Sequence, residues 1–327
     1  MRRAWVLITA VIRVFPLRLP ISSRKHISSS LVNVSGILNQ DILSHIDVDG
    51  YFRRINYTGD RDVSLKTLRN IQLHHTLSIT FETVDVNLPL EMKIQTDLYS
   101  IQNKIICIGR GGYCFEQNVL LYYILKKLGY EVYRHPSRVH YDEQPNEERG
   151  DTHIILRVVI DNISWMVDVA FGRFTPTAPL KLILEGNEKG EVFVTPYDPP
   201  RRLVRMKNER IMHEVKLSEG WTGVNSFSFE IWRDIEVEIA NWYMCSHPNS
   251  YFIKNLVFTR ITKQGRYAFF NNKLSYYSHD NSIAESSIVT TPEKLLDIAK
   301  TVFNVDLPKG TVIGPKDSPF PTPYVEE

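Results

Sequence analysis

The apolar residues of this chain change their spacing near residue 130, and that change calls for a fold of unlike parts. Over residues 41–130 they return every three or four positions, as at Leu65, Leu68 and Ile71, the repeat of amphipathic helices. Over residues 131–232 the texture becomes short β-branched and aromatic runs, at 154–160, 165–171 and 227–231, separated by turn residues. A third, mixed region follows, with a helix predicted over 235–243, a hairpin from 256–261 and 266–270, and a helix over 292–303 opened by Pro292. Pro308, Pro315, Pro319, Pro321 and Pro323 predict an extended tail. The expected class is therefore α+β: a helical bundle over 41–130, a β-barrel over 131–234 and an α/β lid over 235–327.

Residues 1–40 stand apart, holding six Arg or Lys residues and no Asp or Glu. The whole chain has a formal net charge of +2, so the rest sits near −4. A body of that charge lacks the clustered basic surface that nucleic acid demands. The Arg- and Ser-rich leader fits a mitochondrial transit peptide; an untargeted extension and a secretory signal, the latter without a clear cleavage site, are the other readings. No apolar run reaches the ~18 residues of a membrane span. The expectation is a soluble, cytoplasmic protein, with mitochondrial import as the alternative.

Three cysteines, Cys107, Cys114 and Cys245, form neither a disulfide framework nor a zinc motif, and no metal is expected. A free cysteine is ordinarily a small core hydrophobe, and Cys107 and Cys245 are read that way. Cys114 differs. It follows Arg110-Gly111-Gly112-Tyr113 and starts an apolar run that ends at Lys126, Lys127 and Gly129, which predicts a tight turn feeding a helix. A thiol at a helix N-terminus faces unpaired amides and the positive end of the macrodipole, so its pKa is expected to fall.

A thiol nucleophile needs a base, and the base an orienting group. Residues 153–160 and 163–171 read as a hairpin turning at Asp161-Asn162. In that register Ile160 faces Ile163 and His153 faces Ala170, which puts Asp168 diagonally across from His153 on one face. Asp168 lies between Val167 and Val169, and a half-buried carboxylate there is costly unless paired. Cys114, His153 and Asp168 are thus the candidate catalytic triad. Such a triad serves acyl transfer to an amine or, alternatively, a hydrolase or transglutaminase-like reaction.

With these residues in view, the chain resembles the arylamine N-acetyltransferase family. The resemblance rests on Tyr51-Phe52-Arg53-Arg54-Ile55-Asn56-Tyr57-Thr58-Gly59, on Arg110-Gly111-Gly112-Tyr113-Cys114-Phe115-Glu116-Gln117-Asn118, and on Val167-Asp168-Val169-Ala170-Phe171-Gly172. It implies a cysteine-protease-like Cys-His-Asp core and ping-pong transfer through a Cys114 thioester. The implied donor is acetyl-CoA, a co-substrate rather than a tightly bound cofactor, and the implied acceptors are arylamines, hydrazines or N-hydroxyarylamines. Tyr243 and Asn249 match coenzyme contact positions, Phe171 a position lining the acceptor pocket, and Thr152 one beside the catalytic histidine. The sequence departs from the family pattern at Thr80, where proline is usual, and at Thr83, where asparagine is usual.

Overall fold

The computed structural model describes residues 42–88, 94–141, 148–183 and 189–313. The leader 1–40 and the tail beyond Ile313 lie outside the described residues. Within them the chain opens with helices α1 (Val48–Arg54), α2 (Leu65–Ser78), α3 (Val84–Asn87), α4 (Leu98–Gln102) and α5 (Cys114–Leu128), with a short strand β1 (Phe81–Glu82) and a π-turn at Asn103–Cys107 among them. Ser64 caps α2, its side chain accepting from Thr67 N, and Gly129 closes α5 at φ 96°, a backbone angle that favours glycine. Helix α5 is buried nearly all round. Phe115, Val119, Leu120, Leu121, Ile124 and Leu125 join Leu68 and Ile71 of α2 in the main core, each apolar side chain contributing roughly 1.5–3 kcal/mol.

The eight strands that follow are β2 (Glu131–Val139), β3 (His153–Ile160), β4 (Ile163–Val167), β5 (Leu180–Lys181), β6 (Val192–Phe193), β7 (Arg201–Arg205), β8 (Ile211–Leu217) and β9 (Gly220–Phe227). They form one antiparallel sheet in the order β5-β4-β3-β2-β9-β8-β7-β6, nearly closed into a barrel. Helix α6 (Asp234–Ser246), the turn α7 (Tyr251–Lys254), strands β10 (Val257–Ile261), β11 (Arg266–Phe270), β12 (Lys273–Tyr277) and β13 (Ile283–Ile288), and helix α8 (Pro292–Thr301) complete the chain. The expected α+β class holds, and so does the predicted hairpin, as β10 paired with β11. Three strands of the last sheet were not foreseen: β12 and β13, which extend the hairpin, and β1, which comes from the helical region and forms the edge by pairing with β10. The two threonines that depart from the family pattern bind here. Thr80 Oγ1 donates to Phe303 O, and Thr83 Oγ1 accepts from Val257 N at 3.0 Å.

Two readings of the strands need correction. The run at 227–231 is not a strand, since β9 ends at Phe227. Asp168 is not a strand residue either: β4 ends at Val167, and the chain leaves the ladder so that the Asp168 carboxylate turns inward to polar partners. The turn itself is as expected, with Ile160 opposite Ile163 and both Asp161 (φ 51°) and Asn162 (φ 61°) left-handed, as a type I′ hairpin requires.

Buried histidines couple this fold to acid. His75 is fully enclosed, its Nδ1 2.8 Å from the Tyr51 hydroxyl and its Nε2 3.1 Å from Gln117 Oε1, an arrangement suited to the neutral ring. Burial pushes His75 down to about 3, and His213, also buried, down to about 3. The unfolded chain therefore takes up these protons first, below the ordinary value of 6.5. The stability lost as pH falls through that range is up to about 1.4 kcal/mol per pH unit for each ring. We predict a melting temperature that drops from pH 7.5 to pH 5, with a shallower drop in His75→Gln; equal stability of the parent protein at both pH values would contradict this.

Candidate active site

Cys114 opens α5 directly after a backbone turn that leaves no room for side chains. A Cβ on Gly111 would stand 2.2 Å from the Thr80 carbonyl oxygen, and one on Gly112 would stand 2.8 Å from the Glu116 carboxylate. The first obstacle is backbone and cannot swing away. Gly111→Ala should therefore destabilise the protein by about 1–3 kcal/mol, a loss measurable by urea titration; unchanged stability would contradict so tight a turn.

Glu116 ties the turn down. Its Oε2 accepts from Tyr113 N at 3.0 Å, capping the helix, and its Oε1 meets Lys104 Nζ at 2.7 Å. Lys104 also pairs with Asp85 at 2.7 Å, while Arg110 bridges Glu82 and Asp85, both at 2.7 Å. Three carboxylates thus share two cations beneath the nucleophile turn. Burial pushes the Glu116 carboxyl up to about 7, against the pull of Lys104.

His153 and Asp168 meet directly. His153 Nε2 lies 2.6 Å from Asp168 Oδ2, with both side chains buried. The other carboxylate oxygen accepts from Asn118 Nδ2 and from Ala170 N, each at 2.9 Å. Burial works against the Asp168 charge, but His153, Asn118 and the Ala170 amide outweigh it and hold the group below the usual carboxylate range. Since an ionised Asp168 only accepts, Nε2 of His153 carries a proton in this contact, which makes Nδ1 the acceptor of the neutral tautomer.

Asn118 is the residue that sequence reasoning passed over. It stands four positions after Cys114, on the same side of α5, and its amide also donates to Ile154 O at 2.9 Å while its Oδ1 accepts from Val169 N at 3.1 Å. It fastens the helix that Cys114 begins to both β3 and the Asp168 segment. The spacing of four was the available signal. Gln72 of α2 adds a second tie, donating to Asp168 O at 3.1 Å and to Pro176 O at 3.0 Å.

The thiol behaves otherwise than its helix position predicts. Burial pushes the Cys114 thiol up, and the negative charge of Asp168 pushes it further; the amides of Phe115 and Cys114 pull it down but do not prevail. The helix terminus acts in the expected direction, yet desolvation is larger.

The remaining candidate residues fall in two places. Phe171 sets its ring edge-on to His153, with centroids 4.9 Å apart, and Thr152 immediately precedes that histidine. Tyr243 and Asn249 lie at the end of α6 and in the turn beyond it, where Tyr243 stacks on His247 at 4.6 Å. Cys245 is buried as expected, but Cys107 is not the core residue its apolar neighbours suggested: it ends the π-turn Asn103–Cys107 and is exposed. Among the described residues no group of histidine, cysteine and acidic side chains could hold a metal ion.

The sequence profile of the N-acetyltransferase family matches residues 64–312. Arylamine N-acetyltransferase of Mycobacterium tuberculosis is 34% identical over 68% of this chain and 77% of its own length. The Escherichia coli arylamine N-acetyltransferase is 30% identical over 76% of this chain and 83% of its own. Among solved structures, the Mycobacterium marinum arylamine N-acetyltransferase in complex with CoA superimposes with a TM-score of 0.73 at 28% identity, covering 79% of this chain and 93% of that one. Fold, profile and sequence identity agree: this chain belongs to the arylamine N-acetyltransferase family.

Proposed function

We propose that this protein transfers an acyl group, acetyl first of all, from acyl-CoA to an arylamine, hydrazine or N-hydroxyarylamine through a thioester on Cys114. The observation that carries the proposal is the buried chain from His153 through Asp168 to Asn118, which ends on the helix that Cys114 begins. A bare thiolate is disfavoured in that enclosure, so ionisation proceeds by passing the Cys114 proton to Nδ1 of His153. Thiolate and imidazolium then appear together, and Asp168 stabilises the cation. The thiolate attacks the thioester carbonyl, and the coenzyme leaves as a thiol with the proton from His153. In the second half the amine attacks the Cys114 thioester and passes a proton to His153, which returns it to the departing Cys114 thiolate to restore the enzyme thiol.

Acetyl-CoA enters as a co-substrate and leaves as free CoA. Tyr243 and Asn249 are assigned to the coenzyme, Thr152 and Phe171 to the acceptor; Phe171 supports this by lying against His153. The test is CoA release from acetyl-CoA with and without an aniline derivative. Beyond the one equivalent released as Cys114 is acylated, release that depends on the amine and matches N-acetylaniline formation is expected, whereas continued turnover without amine would favour the hydrolase reading. No helix of the described residues is long and apolar enough to cross a membrane. We assign the protein to the cytoplasm; the basic, acid-free leader supports mitochondrial import as the second reading. A fusion of residues 1–40 to a fluorescent protein separates the two.

A further inference from the structure

Directly before the nucleophile stands a buried polar cluster that the proposed chemistry leaves unused. Tyr113 is fully buried, and its phenol donates to Asn241 Oδ1 on α6. Cys245, one turn further along α6, places its sulfur 3.5 Å from both the Tyr113 hydroxyl and Asn241 Oδ1. Asn241 Nδ2 in turn donates to Ile94 O at 2.9 Å. The Tyr113 ring is gripped edge-on by Phe115 at 5.5 Å and by Phe252 at 5.8 Å.

Filling this volume with polar groups is costly unless each is paired, and an apolar set would pack it as well. What the polar set adds is a bonded tie between two elements: Tyr113 and Cys245 both reach Asn241 Oδ1, and the phenol and the thiol also reach each other. The arrangement joins two places that the reaction must bring into line. Tyr113 is bonded through its own backbone to Cys114, and Asn241 lies two residues before Tyr243, the residue assigned to the coenzyme.

We propose that Tyr113 and Asn241 form a latch between α6 and the nucleophile turn, and that both are positioning residues which aim the Cys114 thiol at a thioester held by α6. This rests on the reading of Cys114 as the acyl carrier and of α6 as a coenzyme-binding helix. Burial keeps the Tyr113 hydroxyl protonated, so the donor persists across the working pH range.

The experiment compares two acetyl donors on the full chain. Acetyl-CoA depends on α6 to present its thioester, whereas p-nitrophenyl acetate is small, activated and independent of coenzyme contacts. Tyr113→Phe keeps the ring and removes only the hydroxyl. Acylation of Cys114 by acetyl-CoA, followed by rapid-quench intact mass, should slow about tenfold, the order expected for a small misalignment, while acylation by p-nitrophenyl acetate keeps the parent rate. Asn241→Leu should show the same donor selectivity, and the double variant should be no slower than the worse single one. Two results would overturn the latch: undiminished acylation by acetyl-CoA in Tyr113→Phe, or equal slowing with both donors, which marks a packing residue only. A parent protein that takes up acetyl from neither donor removes the underlying reading instead, and the latch with it.

Discussion

Cys114→Ser is expected to lower arylamine acetylation by more than about 10⁴-fold, the loss that follows removal of a nucleophile from a cooperating triad. A serine hydroxyl is far harder to ionise than a thiol, and the enclosure that already pushes the Cys114 thiol up penalises an alkoxide more. The substitution is nearly isosteric, so the fold should survive: α5 keeps its cap from Glu116, and Asn118 keeps its bonds to Asp168 and Ile154. Turnover with aniline and acetyl-CoA, measured beside thermal melting, checks both halves. Activity within tenfold of the parent, as an order of magnitude, would remove Cys114 from the role given to it.

Asp168→Asn is the second large effect, expected to lower kcat/KM by about 10³–10⁴-fold with the fold retained. The asparagine oxygen can take the Asn118 and Ala170 bonds that Oδ1 now accepts, so packing is preserved. Its amide nitrogen would then face His153 Nε2, where the carboxylate oxygen now stands at 2.6 Å. Two N–H donors cannot share that contact. The ring must move its proton to Nδ1 or turn away, and in either case the base offered to Cys114 is lost. A variant that melts like the parent and works nearly as fast would show that Asp168 serves structure alone.

The succession of helices and strands was legible because it depends on local spacing. The helical repeat, the β texture after residue 130 and the Asp161-Asn162 turn are short-range signals, and each reappears in the structure. His153 and Asp168 could be paired on paper because only one turn separates their segments. The exit of Asp168 from β4 was not legible, since the alternation of Val167, Asp168 and Val169 reads the same whether or not the ladder continues. Asn118 was passed over because its partners lie 36 and 50 residues away. The charges beneath the nucleophile turn come from Glu82, Asp85, Lys104, Arg110 and Glu116, and only the closed fold reveals which carboxylate shares which cation. The thiol was misjudged for a related reason: the helix dipole is a local property, whereas desolvation is set by everything packed around Cys114.

The central claim is covalent, and intact-mass spectrometry addresses it most directly. The purified protein is mixed with acetyl-CoA, with and without an aniline derivative. A mass gain of one acetyl group is expected, located on Cys114 by peptide mapping and discharged when the amine is added. A protein that turns over acetyl-CoA and aniline yet never carries acetyl on Cys114, even under rapid quenching, would contradict it.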